Sequence, residues 1–399
     1  MCCLGCALAA PAAAQDPGDP ATRAELLRRQ REEKQQALSP PESTGLERGM
    51  DIAENRVVPL LQRDGIYAKF GSLTTGSGFA YGAGYRDRSL VRGLGSLDLW
   101  AAGSLKRYWA LEGRLRYPLT ADDRLFVEGY ARRFGYPSEE FFGVGPDSRR
   151  ADRAIYRLHG VTAGGQLSLQ ATDPFSIGGG VEWLRPEVSA GRHGSLPAVA
   201  ALFDAIRAPG QEQQHRFVRT MAHATYDYRQ PLNARRGGWY RVEVSRHADR
   251  RGGEFSFRRA DVDLRLFVSF RAERRVLAGR VKVSTTDAAA GAEVPFFLLP
   301  ALGGNDTLRG FRAHRFRGPH AILLQGEYRW EIWSGLEGAL FVDAGKVTAR
   351  RADLDLRDLE RDYGFGFRFN TDNGVVMRVD AAFGSRDGRH LHVVFGGIF

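Results

Sequence analysis

Residues 302–318 read LGGNDTLRGFRAHRFRG, with four arginines, one histidine and four glycines in seventeen residues. A guanidinium is permanently charged and presents a planar fork of donors to a carboxylate or a phosphate. The chemistry on offer is therefore anion capture, by an acid elsewhere in the chain or by a phosphate-bearing partner. Two acids follow at short range, Glu327 in LLQGEYRWEI (323–332) and Asp343 in GALFVDAGKV (338–347). Covalent catalysis has no comparable foundation. The chain has no H-E-x-x-H, no G-x-S-x-G, no phosphate-cradling P-loop and no C-x-x-C. His390 and His392 share one strand face, but two imidazoles alone make no metal centre and read as polar wall residues. The expectation is a protein that is not an enzyme and carries no metal and no cofactor.

The formal charge is +10. That balance suits any phosphate-rich partner, nucleic acid and lipopolysaccharide alike. The arginines are spread along the chain rather than gathered in one patch, which sets nucleic acid aside. The three cysteines, Cys2, Cys3 and Cys6, lie in MCCLGCALAAPAAAQ, a short apolar segment that ends in small residues. Residues 1–14 read as a signal peptide, so the cysteines form neither a metal site nor a disulfide framework. Residues 15–60 are polar and charged and read as a largely disordered periplasmic arm. No later run of apolar residues is long enough for a membrane-spanning helix. An exported chain of this kind is either soluble or crosses a membrane as a closed barrel.

The elements that must carry the arginines and acids have a period of two. YWALEGRLRY sets Trp109, Leu111, Leu115 and Tyr117 against Glu112, Arg114 and Arg116. DVDLRLFVSF sets Val262, Leu264, Leu266, Val268 and Phe270 against Asp261, Asp263 and Arg265. Tyr240, Val242 and Val244 oppose Arg241 and Glu243, and Tyr363, Phe365, Phe367 and Phe369 oppose glycines, Arg368 and Asn370. One apolar face and one charged face over about ten residues is the pattern of an outer-membrane strand, longer than the usual soluble one. Sixteen such segments fit between residues 64 and 399. Connections after the even-numbered segments are mostly short, and the long ones (135–151, 185–213, 286–319, 347–359) follow odd-numbered segments. The expected fold is all-β, a 16-stranded antiparallel transmembrane β-barrel over 61–399. The long loops face outward and the N-terminus lies in the periplasm of a Gram-negative cell. LPAVAALFDAIRAPG, in the second long loop, reads as a short helix on the outer rim.

Four segments carry a family resemblance. The loop between strands 11 and 12 contains Gly303, Gly304, Leu308, Arg309, Gly310, Phe311, Arg315, Phe316 and Gly318. It resembles the (V/L)-R-G-(F/Y) loop of the BamA/TamA-like surface antigen family, the outer-membrane insertase superfamily. EEFFGVGPDSRR (139–150), LLQGEYRWEI and GALFVDAGKV resemble that family's F-x-G-x-G-x-x-S, G-x-E-x-R and F-x-D-x-G segments, in the same order. The chain ends HLHVVFGGIF, with Leu391, Val393, Phe395 and Phe399 on one face, similar to the C-terminal sorting signal of such barrels. One departure stands out: the region ahead of the barrel fits no complete POTRA module.

The resemblance implies that the loop folds back into the lumen and that its arginine pairs with acids on the wall. The residues support this independently. Gln325, Glu327, Arg329 and Glu331 alternate with Leu324, Tyr328 and Trp330, and Asp343 alternates with Leu340, Val342 and Ala344. A turn near 333–335 then sets Glu327 roughly opposite Asp343, where two carboxylates repel unless a cation lies between them. Arg309 is the expected cation, with Gly310 allowing a sharp turn and Phe311 packing on the wall. Gly303, Gly304, Leu308, Arg329, Phe341 and Gly345 are its expected supports. The resemblance implies a monomeric outer-membrane barrel among lipids and lipopolysaccharide, assisting insertion, assembly or export of a protein partner. The alternative is a structural or porin-like surface-antigen barrel.

Overall fold

A computed structural model describes residues 64–191, 196–229, 235–271, 274–333, 335–371 and 374–395. The signal peptide, the arm and Phe399 lie outside these residues. The sixteen strands are β1 (Gly65–Gly71), β2 (Ala80–Ser89), β3 (Gly95–Ser104), β4 (Trp109–Pro118), β5 (Leu125–Phe141), β6 (Ala154–Thr172), β7 (Phe175–Ala190) and β8 (Phe217–Asp227). They continue as β9 (Gly237–Asp249), β10 (Phe257–Phe270), β11 (Arg275–Ala288), β12 (His320–Trp333), β13 (Leu336–Thr348), β14 (Glu360–Thr371), β15 (Gly374–Ser385) and β16 (Gly388–Phe395). Each pairs antiparallel with the next, in one sheet whose order follows the chain.

The sequence expectation of sixteen strands stands, and the ends differ. β5 runs to Phe141 and β7 to Ala190, beyond the expected 134 and 184. The extra length has a packing reason. Phe141 and Val188 on these extensions, with Tyr156 at the start of β6, bury against Val199, Phe203, Phe296 and Phe297 from the long loops. In β7 the inward side of this extension is covered, with Pro186 and Val188 buried, while Glu187 and Ala190 stay exposed. LPAVAALFDAIRAPG forms only a four-residue helix, Val199–Leu202. Val199 and Phe203 sink into this long-loop lid instead of lying on the rim.

Alternation sorts the two faces as expected. Val242, Val244, Leu264, Leu266, Val268, Leu340, Val342 and Phe365 are exposed on the outside. Water would penalise a continuous belt of this kind, so it faces hydrocarbon. At the short-turn end Tyr226, Tyr228 and Tyr240 cluster, as do Phe270, Tyr328 and Trp330. Aromatic rings at that level suit a membrane interface.

The ends of the sheet are β1 and β16. Among the described residues no ladder joins them. Among the described residues the Phe395 ring of β16 lies 6.5 Å from Phe70 of β1 and 5.3 Å from Phe79, just ahead of β2, centroid to centroid.

Candidate functional site

The segment 302–318 leaves and rejoins the wall through a two-residue pairing, Ala301–Leu302 with Phe316–Arg317. Gly303 and Gly304 turn the chain sharply just inside it. Their φ values of 115° and 97° are strained for any residue with a side chain. A Cβ on Gly303 would also meet the Arg312 carbonyl oxygen at 2.2 Å. Leu308 and Phe311 then pack with Leu302, Phe316, Ala321, Leu323 and Val347, an apolar cluster between the loop and the inner faces of β12 and β13. This packing holds the next residue in place.

Arg309 is fully buried. Its Nε donates to Asp343 Oδ2 at 2.7 Å and its Nη2 to Asp343 Oδ1 at 2.8 Å, the bidentate fork that lysine cannot form. Nη1 donates to Glu327 Oε2 at 2.9 Å. The guanidinium carbon sits 3.4 Å from the Phe341 ring centroid, in cation–π contact. Phe341, Asp343 and Gly345 are alternate residues on the inner face of β13, which explains the F-x-D-x-G spacing. Phenylalanine supplies a ring face and aspartate the anion. The glycine leaves room, since a Cβ there would meet the Ile322 carbonyl oxygen at 2.7 Å and Leu302 Cδ1 at 3.1 Å.

The network reaches further than these three residues. Glu327 also accepts from Arg329 Nε at 2.8 Å and from Arg368 Nε and Nη2 at 3.0 and 2.7 Å. Asp380 accepts from Arg368 and Arg378, each at 2.6 Å. Arg378 Nη2 reaches back to the Asn305 carbonyl at 2.6 Å. Gln325 donates to Asp343 and to the Thr307 carbonyl. His392 and the Arg309 carbonyl lie 2.8 Å apart. The loop tip thus touches inward side chains of β12, β13, β15 and β16.

Two expectations need correction in detail, and one alternative falls away. Glu327 does not face Asp343 across the ladder. Asp343 pairs with Gln325, and Glu327 pairs with Phe341: the ladder begins at Trp333–Leu336, one residue short of the expected register, and an irregularity between Glu331 and Trp333 adds one more. The two acids are diagonal neighbours, so the arginine spans rather than separates them. Gly310 does not sit in a left-handed turn, since its φ is not positive. What it needs is space: a Cβ there would lie 2.5 Å from Asp362 Cβ on β14. The bare-backbone approach is the requirement, and Asp362 itself pairs directly with Asp343. Finally, the loop is not an exposed binder of phosphate. Arg309, Arg315 and Arg317 are buried and partnered within the chain.

Sequence reasoning missed the long-loop half of the site. Arg315 Nη1 and Nη2 donate to Ser148 Oγ and to the Ser148 carbonyl at 2.8 and 2.9 Å, and Arg315 Nε pairs with Asp387 at 3.3 Å. The Gly145 amide donates to the Arg317 carbonyl at 2.7 Å, and Arg317 Nη2 donates to Tyr156 Oη at 2.9 Å. The F-x-G-x-G-x-x-S segment is therefore a dock of the same loop at the long-loop end of the barrel. Its serine stood in the sequence only as a motif position, and nothing local paired it with Arg315, 167 residues away. Arg368, Arg378 and Asp380 were visible only as alternating wall charges. Phe395 lies at the β1–β16 seam and not in this network.

Sixteen antiparallel strands with an apolar belt outside and buried ion pairs inside define an outer-membrane β-barrel. Residues 103–389 match the Omp85 superfamily domain, and the chain belongs to that superfamily. Among solved structures it is similar to BamA from Haemophilus ducreyi lacking POTRA domains 1–3. The TM-score is 0.61 at 15% identity, over 83% of this chain and 70% of that one. It is also similar to CdiB from Escherichia coli (0.55, 13% identity, 84% and 62%) and to CdiB from Acinetobacter baumannii (0.51, 13%, 82% and 58%). At these identities the likeness is one of fold. The chain spans less than two thirds of either CdiB chain. Comparison with curated proteins finds no match.

Proposed function

We propose that this outer-membrane barrel assists the insertion, assembly or export of a protein partner, and that the β1–β16 seam is its working edge. The loop 302–318 folds into the lumen, and Arg309 on Asp343 and Glu327 is the lock that keeps the barrel in register beside that edge. The observation that carries this reading is the seam itself. The ends of the sheet meet through the rings of Phe70, Phe79 and Phe395, a contact that can part without breaking a ladder between described residues. Membership of an insertase superfamily supports it. The N-terminus then lies in the periplasm and the long loops outside the cell.

The seam can be tested by a covalent staple. A Cβ built on Gly71 lies 3.9 Å from Phe395 Cβ, within disulfide range. The G71C/F395C pair, oxidised, is expected to remove client proteins from the outer membrane, and reductant is expected to restore them. Outer-membrane proteomics is the readout, with depletion of the protein as reference. An unchanged proteome in both conditions would assign a structural, porin-like barrel instead.

A further inference from the structure

The loop arginines are spoken for, but another pair is not. Arg246 on β9 and Arg258 on β10 are directly opposed in the ladder. Both are exposed, and both have the outward parity of the lipid-facing Val244, Leu264 and Leu266. Among the described residues neither has an ion-pair or hydrogen-bond partner. Like charges directly opposite on adjacent strands, with Cβ atoms about 5 Å apart, repel. The nearest acid is Asp287, which faces Arg258 across the next ladder, and Arg351 from the β13–β14 loop already holds it.

Position matters as much as charge. The two arginines stand at the long-loop end of the barrel, at the first charged level above the apolar belt. They line one end of an outward groove of about 520 Å³ together with the Asp287–Arg351 pair, and Thr220, Ala222, Val244 and Ala260 line the rest of it. A soluble anion would find half the site greasy, and a neutral lipid would leave the cations unmatched. A ligand with phosphate on top and acyl chains beneath matches both parts.

We propose that Arg246 and Arg258 clamp a phosphate of lipid A in the outer leaflet, with an acyl chain lying in the groove below. The proposal rests on the orientation given above, in which the long loops are extracellular. Bidentate contacts from two guanidiniums to one phosphate relieve their mutual repulsion and fix a lipid at one meridian of the barrel. That meridian, β8–β11, lies away from the β1–β16 seam, so the lipid anchors the barrel without blocking the edge.

The test uses the full-length barrel in neutral detergent, with bisphosphorylated lipid A, dephosphorylated lipid A and phosphatidylglycerol as probes in native mass spectrometry. Arg246→Ser/Arg258→Ser is expected to weaken bisphosphorylated lipid A by roughly tenfold or more. Arg246→Lys/Arg258→Lys keeps most of the binding, and Arg124→Ser at the short-turn end changes nothing. All variants are first checked for wild-type heat-modifiable migration. Undiminished lipid A binding by the double-serine variant overturns the proposal. So does phosphatidylglycerol binding as tightly as lipid A, which would mean an unspecific anionic-lipid surface. Orientation is read separately, by labelling Leu356→Cys with an impermeant maleimide on intact cells. Labelling only after lysis overturns the orientation and this site with it. External labelling with unaffected lipid A binding sinks the phosphate site alone.

Discussion

Arg309 shows why residue identity, not charge, decides this site. Its fork satisfies both oxygens of Asp343 while its remaining nitrogen holds Glu327. Removing it leaves buried acids short of a cation, and breaking a buried pair costs about 3–5 kcal/mol. Arg309→Ala is expected to lower the temperature at which the barrel loses its compact electrophoretic form. Arg309→Lys should fall between, since an ammonium keeps the charge but not the bidentate geometry or the flat stack on Phe341. Wild-type melting of the alanine variant would remove the lock from the account. Gly310 belongs to the same scale. Its lack of a side chain matters for clearance from Asp362, so Gly310→Ala overpacks the site at a cost of about 1–3 kcal/mol.

At the scale of elements, the loop works as a bridge between two bodies of packing. Its tip is tied to the inner wall by Arg309, and its return limb to the long-loop lid by Arg315 and Arg317. Arg315→Ala should loosen the 142–153 connection from the loop while sparing the Arg309 contacts. Limited proteolysis of that connection is expected to accelerate, with little change in barrel melting. The lid also carries a pH dependence. His215 is buried in the lid, where its ring meets Phe217, Phe255 and Phe297 and bonds the Gly210 carbonyl. Burial pushes its imidazole below the ordinary value of 6.5. A neutral buried histidine stabilises the lid above that value, and the contribution is lost as pH falls through it, because the opened form takes up the proton more readily. Proteolysis of the outer loops should therefore speed up between about pH 7 and pH 5. That acceleration should shrink in His215→Phe.

At the scale of the whole molecule, the filled wall predicts electrical silence. The tip of 302–318 lies against β12, β13, β15 and β16, and its arginine network leaves charges paired rather than lining an open path. In planar bilayers the intact barrel is expected to show no steady large conductance. Deleting 303–315 should produce resolved steps. Equal conductance with and without the loop would mean that it does not occupy the lumen.

Much of this was legible in the chain because a barrel strand has a strict period of two, and slipping by one residue would turn every charge into lipid. The strand count and the inward faces of Glu327, Arg329 and Asp343 follow from that parity, while the pairing of Arg309 with acids was what the family resemblance implied and the parity supported. Parity says which face a residue takes, not which neighbour it meets. The displaced register of β12 and β13, the clearance that Gly310 gives Asp362, and the docking of Arg315 on Ser148 depend on a bulge, a backbone approach and a contact 167 residues apart in the chain. The same holds for Arg246 and Arg258, twelve residues apart and unremarkable until the ladder sets them side by side. Local pattern determined the faces, and only closure of the sheet decided which charges share a space.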